Sequence, residues 1–298
     1  MTRLSDAAAP RPAEPGLFAG LVDDAAVFPP GNAPLDEAVR MHRVHRTSWY
    51  AGLVGPLLVP ASAAGDLVPL VAAAGSADGA AAGAGADPVR VAVIGRPGVP
   101  VDRVLDAVAL LRSAQGVDVV GVERGWEPSW REARDPGVPL TLEVPRGDAQ
   151  VEAVADIAAD ASDDRPLQAK FRTGATDTWA WPDERELATF VRTAVDHDLG
   201  FKLTGGLHHV VRGTHDGQEQ HGLLNVLVAV RWALNGDDVD DLVPLLAERD
   251  PAVLVPHVTR MSAADAAIVR AFFPAYGCCG VTDPITELAA LGLLEEHA

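Results

Sequence analysis

Residues 167–206 have the sequence LQAKFRTGATDTWAWPDERELATFVRTAVDHDLGFKLTGG. Residues 167–171 and 200–203 are short, mainly apolar runs of the length of a buried strand. Residues 182–198 begin with Pro-Asp-Glu, which is typical of the first turn of a helix, where the helix dipole favours negative charge. This stretch therefore predicts a strand, a helix and a second strand, the unit from which parallel sheets are built.

The same alternation of strands and helices recurs along the chain. Strands are predicted at residues 21–28, 53–59, 89–94, 117–123, 140–144, 167–171, 200–203 and 271–276. Helices are predicted at residues 32–46, 101–115, 182–198, 223–234, 262–270 and 284–294. Eight strands in 298 residues match the size of a closed (β/α)₈ barrel. The alternative, an open nucleotide-binding sheet, is disfavoured because the first strand is not followed by Gly-x-Gly-x-x-Gly and no Gly-x-x-x-x-Gly-Lys-Ser/Thr occurs.

The domain organisation follows from the segments that lack this pattern. Residues 1–15 are expected to form a disordered tail, which leaves residues 16–298 as a single barrel domain. The Ala/Gly-rich segment near 72–87 is expected to be a surface insertion. The segment 208–270 is too long for one connection between strands, so we expect extra helices there, over the mouth of the barrel.

Composition limits the partners that we expect. The formal net charge of −18 disfavours nucleic acid and anionic membranes, which are negative surfaces themselves. The two cysteines, Cys278 and Cys279, are adjacent and form no disulfide framework, and the first residues lack the apolar run of a signal peptide. We therefore expect a cytoplasmic protein that binds neither nucleic acid nor a membrane. Its partner is expected to be a small molecule, anionic because Lys170, Lys202 and Arg172 could supply local positive charge, with no required cofactor; a homo-oligomer is compatible with the sequence.

Lysine is scarce in this chain: Lys170 and Lys202 stand against twenty-two arginines. Both lie near the ends of predicted strands, in the similar segments AKFRTG and FKLTGG. A coding bias toward arginine explains the scarcity but not the placement. Guanidinium stays protonated in proteins, whereas an ammonium group can lose its proton and then attack a carbonyl group to form a Schiff base. The two lysines are therefore candidate catalytic residues.

Acidic residues interrupt other predicted strands. Asp23, Glu123 and Glu143 lie in or at the ends of apolar runs, where an unpaired charge would be costly. Because the carboxyl ends of barrel strands carry the working residues, we expect these groups to face the lysines at the barrel mouth. Two ammonium groups close together should lower the pKa of one lysine, and Glu123 or Glu143 could move protons.

Six motifs, in chain order, resemble those of the deoxyribose-phosphate aldolase family. They are Leu-Val-Asp-Asp-Ala at 21–25, Val-Asp-Val-Val at 117–120, Thr-Leu-Glu-Val at 141–144, Lys-Phe-Arg-Thr-Gly at 170–174, Phe-Lys-Leu-Thr-Gly-Gly at 201–206 and Gly-Cys-Cys-Gly at 277–280. The resemblance implies a class I aldolase on a (β/α)₈ barrel, with Lys170 forming the imine and Lys202 lowering its pKa. It also places the catalytic aspartate at Asp118. Asp118 lies early in its strand and has the opposite parity to Glu123, so we favour Glu123 and keep Asp118 as the alternate.

The same motifs indicate residues that could bind a substrate. Arg172 could hold an anionic group through a bidentate contact. The further candidates are Thr173, Thr204, Gly205, Gly206, His208, His209 and Gly277. The glycines could offer backbone N–H groups to an anion. Arg172, the Leu207-His208-His209 segment and the Cys-Cys pair all depart from the family pattern, so we expect a carboxylated or unphosphorylated aldol as substrate.

Two other interpretations remain open from the sequence. In the first, His208 and His209 with His221 and acidic strand ends hold a metal ion, and the protein is a metal-dependent hydrolase or isomerase. Their spacing matches no established metal motif, and a lone histidine is more often a solvated loop residue. In the second, the protein is a non-catalytic barrel that binds a ligand.

Overall fold

The computed structural model describes residues 12–78, 87–177 and 179–294, with the side chains of 74–78 left aside. Eight parallel strands close into a barrel, in the order β1-β10-β7-β6-β5-β4-β3-β2. They are β1 (Val22–Asp24), β2 (Val54–Pro60), β3 (Val89–Ile94), β4 (Val117–Gly125), β5 (Leu140–Glu143), β6 (Leu167–Arg172), β7 (Phe201–Thr204) and β10 (Ala275–Cys278). The predicted (β/α)₈ barrel is thus confirmed.

Helices surround this barrel. They are α1 (Leu35–Thr47), α2 (Ala64–Asp78), α3 (Val101–Ser113), α4 (Ala149–Ala158), α5 (Glu184–Asp196), α6 (Leu223–Asn235), α7 (Val239–Ala247), α8 (Pro251–Thr259), α9 (Ala263–Phe272) and α10 (Thr282–Ala290). Between β4 and β5 a short 3₁₀ turn, Trp130–Glu132, stands where a regular unit would have a helix. A small hairpin, β8 (Gly213–His215) and β9 (Gln218–Gln220), follows β7.

Helix starts follow the chemistry of the sequence. Asp183 accepts a hydrogen bond from the backbone N–H of Glu186 at 2.8 Å, and the Glu186 side chain accepts one from Asp183, so α5 begins with a capping box. Ser262 and Asp265 make the same arrangement at α9, as their spacing predicts. These contacts satisfy backbone donors that a helix terminus otherwise leaves without partners.

Aromatic packing decides which way the lysine strands face. Phe171 on β6 stacks on Phe190 of α5, with ring centroids 4.9 Å apart, and Phe190 also packs edge-on against Phe201 of β7. Successive side chains of a strand point to opposite faces. Because Phe171 and Phe201 point outward to the helices, their neighbours Lys170 and Lys202 point into the barrel.

Three expectations about the chain require correction. The last strand begins at Ala275 rather than at residue 271, because α9 continues to Phe272. Extra helices do occur in 208–270, but α7 packs on α5 and α6 and α8 packs on α6, so these two cover the helical layer and not the barrel mouth. Residues 72–78 of the expected insertion belong to α2, and residues 79–86 lie outside the described residues.

The N-terminal boundary of the domain lies before residue 16. Ala13 is buried, and its backbone N–H donates to the carbonyl of Leu293 at 3.3 Å. Residues 1–11 of the expected tail lie outside the described residues. In the described part of the chain no single helix has the length and apolar character needed to cross a membrane; one pair, Pro251–Thr259 with Ala263–Phe272, reaches that length only together and is bent by 109°.

Candidate functional site

A network of alternating charges lies inside the barrel. Lys202 binds Asp23 of β1 and, at 2.5 Å, one oxygen of Glu123 of β4. Lys170 binds the other oxygen of Glu123 at 3.0 Å and Glu143 of β5, also at 3.0 Å. Four of these five residues are buried; only the Glu143 side chain, about a quarter exposed, has appreciable access to solvent. The structure therefore brings together residues from five strands that the sequence analysis singled out.

Strand register explains why these side chains meet. Glu143, Lys170 and Lys202 are paired across β5, β6 and β7, so they lie side by side on one level of the barrel. Neighbouring strands are about 4.8 Å apart. Glu123 and Asp23 reach this level from β4 and β1. Glu123 lies between the two ammonium groups, because each of its oxygens binds a different lysine.

Arg172 extends the network to the rim of the barrel. Its Nε donates to Glu143 Oε1 at 2.9 Å, and 36% of its side chain is exposed. The network then contains three cations, Lys170, Lys202 and Arg172, and three carboxylates. It is balanced in charge, which a buried cluster requires if it is not to destabilise the fold.

The pKa values of the lysines are shifted in the direction opposite to the one expected. Burial alone would lower the pKa of Lys170, but the carboxylates of Glu143 and Glu123 outweigh burial and hold it above its ordinary value. Burial would also lower the pKa of Lys202. The carboxylates of Asp23 and Glu123 outweigh burial there and raise the pKa of Lys202 well above its ordinary value. The expected repulsion between the two ammonium groups is thus overcome by the carboxylates around them, and both lysines are charged in the resting site.

The two fully buried carboxylates differ from each other. Burial raises the pKa of Asp23 to about 6, although Lys202 opposes the shift. Burial acts on Glu123 too, but two lysines outweigh it and lower the pKa of Glu123 to about 2. Asp23 Oδ1 has no hydrogen-bond partner among the described residues. Asp23 is therefore the group of this network that can exchange a proton near neutral pH, whereas Glu123 is a fixed anion.

The surroundings of Asp23 contain signals that sequence analysis missed. A side chain at Gly55 of β2 would overlap the Asp23 carboxylate. Glycine at this position is therefore required for the carboxylate to fit. The adjacent Asp24 points the other way, to α1, where its Oδ2 lies 3.0 Å from His42 Nδ1 and both side chains are buried. Two consecutive aspartates thus serve two different sites, as the alternation of a strand requires.

Asp118, the alternate catalytic acid, is not part of the site. It is the second residue of β4, at the amino end of the strand, and its side chain is exposed. Glu123, near the carboxyl end of the same strand, contacts both lysines. The positional argument from the sequence thus selects the residue of the two that contacts the lysines.

The turn residues near the lysines serve mainly to pack β6 against β7. The Thr173 hydroxyl is buried and donates to the carbonyl of Thr204 at 3.1 Å. Its hydrogen is therefore used within the protein, in contrast to the expectation that Thr173 binds a substrate. A side chain at Gly206 would lie 2.8 Å from the Trp181 ring, and Gly205 has a φ of +81°, which favours glycine. Packing therefore explains Gly206, and backbone conformation explains Gly205.

An apolar patch lies beside the charges in the barrel. Ala25, Leu58 and Ala92 form a small cluster of buried residues, with Phe28 and Ile94 packed against it. Ile94 is paired with Glu123 across β3 and β4, so this patch adjoins the network. A side chain at Gly277 would lie 3.1 Å from Leu58 and 3.4 Å from Thr204 Oγ1. Glycine at position 277 therefore allows Leu58 and Thr204 to approach the backbone of β10 closely.

The three histidines proposed as metal ligands do not converge. His209 Nδ1 lies 2.7 Å from Glu287 Oε1, and His221 is fully buried with its Nε2 at 2.9 Å from the carbonyl of Pro182. His208 contacts Asp283 and both cysteines. Within residues 12–78, 87–177 and 179–294, no group of three His, Cys, Asp or Glu side chains has the geometry to hold a metal ion. This removes the basis for the alternative ligand set.

A groove between α2 and α3 lies apart from the charge network. Its volume is about 370 Å³, and it is lined by Ala61, Val99 and Leu110, among others, but by no residue of the network.

A comparison of the chain with family models, with curated proteins and with solved structures finds no match. The geometry and charge of the buried network therefore carry the functional interpretation.

Proposed function

We propose that this chain is a carbon–carbon lyase of the class I aldolase type, which forms a Schiff base between Lys170 and a small oxo substrate. The observation that supports the proposal best is the pair of buried lysines on adjacent strands, joined through the two oxygens of Glu123. The resemblance of the lysine motifs to deoxyribose-phosphate aldolases points to the same chemistry.

Lys170 is the better candidate for the nucleophile because of its partner Glu143. A charged amine must lose a proton before it can attack a carbonyl carbon. Glu143 lies 3.0 Å from Lys170 Nζ and also contacts Arg172 at the rim. Its partial exposure lets Glu143 pass the proton on to solvent, a route that the more deeply buried partners of Lys202 lack. The neutral amine then adds to the carbonyl, and loss of water gives the imine.

Asp23 is the candidate for proton transfer to and from the substrate. Cleavage of an aldol requires a base that removes the proton of the substrate hydroxyl group while the imine accepts the electron pair of the breaking carbon–carbon bond. With a pKa raised to about 6, Asp23 can both accept and return a proton near neutral pH. Glu123, with its low pKa, keeps Lys202 and Lys170 in place.

The walls of the site suggest the class of substrate. The apolar patch around Leu58 suits a short aliphatic portion, and Arg172, 36% exposed at the rim, suits a carboxylate or another anionic end. We therefore propose a small aldol that carries an anionic group at the end remote from the reacting carbonyl.

Borohydride trapping tests the proposal directly. The protein is incubated with a small aldehyde or 2-oxo acid, reduced with borohydride, and analysed by intact mass and peptide mapping. We expect one adduct, on Lys170; since the chain has two lysines, the map is unambiguous. Lys170→Arg keeps the charge of the network but cannot form an imine, so the adduct should disappear.

Lys202→Arg is the matched control, because it makes the same change on the neighbouring strand. We expect this variant to retain the Lys170 adduct at a reduced rate. An adduct of equal yield in Lys170→Arg would exclude Lys170 as the nucleophile. No adduct with any oxo compound, while a ligand still binds, would leave the protein as a non-catalytic binding barrel.

A further inference from the structure

A second cluster of reactive side chains lies at the rim of the barrel. Cys279 Sγ lies 3.3 Å from His208 Nε2, and His208 Nδ1 lies 3.1 Å from Asp283 Oδ2. The thiol and the carboxylate thus bind opposite nitrogens of one imidazole ring. This is the arrangement in which a histidine accepts a proton from a nucleophile while an acid orients it.

The cluster is separate from the lysine network. Ala275 is paired with Lys202 across β10 and β7, and Cys279 follows Ala275 by four residues. β10 ends at Cys278, so at a rise of about 3.3 Å per residue the end of the strand lies about 10 Å beyond the level of the lysines, and Cys279 follows it. Cys279 is partly exposed, and His208 has a fifth of its side chain exposed, so a molecule from solvent can reach both.

Local backbone features hold the three groups together. Asp283 is in the first turn of α10, and a side chain at Gly280 would overlap the Asp283 carboxylate. A side chain at Gly31, in the loop after β1, would lie 3.0 Å from Cys279 Cβ. Glycine at these two positions therefore lets Asp283 fold back toward His208 and lets the loop support Cys279.

The neighbouring Cys278 provides an internal comparison. It is buried, its thiol donates to the carbonyl of Gly280 at 3.3 Å, and burial raises its pKa. Contacts with the Cys278 and Cys279 thiols raise the pKa of His208. A protonated His208 is the partner that a thiolate requires, and of the two thiols only Cys279 has access to solvent.

We propose that Cys279, His208 and Asp283 form a nucleophilic centre that accepts an acyl group from a small activated ester or thioester. The Cys279 sulfur attacks the acyl carbonyl carbon, and a carbon–sulfur bond forms. The bond to the leaving group breaks, and the leaving group takes the proton held on His208 Nε2. The product is an acyl thioester on Cys279, which water can hydrolyse. Asp283 is a positioning residue, because its carboxylate acts through the imidazole that it contacts.

This centre does not depend on the lysine chemistry, and its test uses the whole protein with p-nitrophenyl acetate as the probe. We expect release of nitrophenolate with one acetyl group on Cys279, found by intact mass and peptide mapping. Cys279→Ala should lose this modification, and Cys278→Ala should retain it. His208→Gln should slow acylation by about 100-fold, the usual contribution of a positioned acid–base group.

Two variants separate activation from a merely structural role. Asp283→Asn should slow acylation and Asp283→Glu should restore part of the rate, whereas folding, followed by circular dichroism, stays the same in both. Gly280→Ala should slow acylation without removing any of the three groups, because it displaces Asp283. Acylation of Cys279 no faster than that of a free thiol such as glutathione, or unaffected by His208→Gln, would overturn the proposal.

Discussion

Glu123 is the residue on which the buried network depends. Its two oxygens bind Lys170 and Lys202, and its side chain is almost completely buried. A buried pair contributes little net stability compared with an apolar pair of the same size, but removal of one partner leaves an uncompensated charge. At Glu123 one substitution affects two cations at once.

Glu123→Gln should therefore lower the free energy of unfolding by about 3–5 kcal/mol, since two buried ammonium groups lose a shared counter-charge. Urea denaturation followed by circular dichroism measures this loss. Glu143→Gln is the control on the next strand. Glu143 is partly exposed and Lys170 keeps Glu123, so the loss should be smaller. Equal losses in the two variants would contradict the shared role of Glu123.

Asp23 should give the reaction its pH dependence. Its pKa is raised to about 6, so it is ionised above that pH and protonated below it. If Asp23 is the base, the rate of cleavage should rise with pH through about 6 and level off above it. Asp23→Asn should remove this inflection and lower the rate throughout. A pH profile of the same shape in Asp23→Asn would exclude Asp23 as the titrating group.

Strand β2 leaves space for the Asp23 carboxylate without contributing a charged group to the network. Gly55→Ala places a methyl group in the space of the Asp23 carboxylate, so we expect a loss of about 1–3 kcal/mol in stability, as for other overpacked interiors. It should also slow imine formation, because Lys202 then loses part of its contact with Asp23. Gly52→Ala, three residues earlier, has open space around its Cβ and should change neither quantity. Thermal unfolding and borohydride trapping of both variants measure the two effects.

Among the secondary-structure elements, the eight strands can be predicted from the sequence, but not all the residues at which they begin and end. The run at 89–94 is bounded clearly and agrees with β3. The predicted last strand begins too early, because Ala271 and Phe272 are apolar residues that suit the last turn of α9 as well as they would suit the start of a strand. Periodicity over so few residues cannot separate these two possibilities.

The site could be predicted as a set of residues but not as an electrostatic arrangement. Strand parity and position separate Glu123 from Asp118, and both can be judged from the sequence. The sequence does not show that Glu123 places one oxygen on each lysine, so the expected repulsion between the lysines was wrong. Likewise, His208 and Asp283 are 75 residues apart, and only the closed barrel brings them together.

For the molecule as a whole, the interior and the surface carry different charge. The formal net charge is −18, yet the buried network pairs three carboxylates with three cations. The excess of negative charge therefore lies outside the network. A change of pH alters the repulsion between surface charges, and it alters the network through the few groups whose pKa values are shifted. Substitutions in the network distinguish these two effects on stability.

The shifted carboxylates predict how stability depends on pH. The pKa of Glu123 is about 2 in the folded protein against 4.5 when unperturbed, so its contribution is complete above about 4.5 and is lost as the pH falls toward 2. Asp23 acts in the opposite sense: its pKa rises from 3.8 to about 6, so its contribution is present at low pH and is lost as the pH rises through that range.

We therefore expect the urea midpoint to rise as the pH falls from about 6 to 4.5, because Asp23 takes up its proton in the folded protein, and to fall below about 4.5 as the contribution of Glu123 is lost. Relative to the unmodified protein, Asp23→Asn should gain stability as the pH rises from about 4 to 6, because the cost of ionising Asp23 is gone. In Glu123→Gln the fall below about pH 4.5 should be shallower, although this variant is less stable at neutral pH. A fall of the same steepness in Glu123→Gln would assign acid unfolding to surface carboxylates instead of the network.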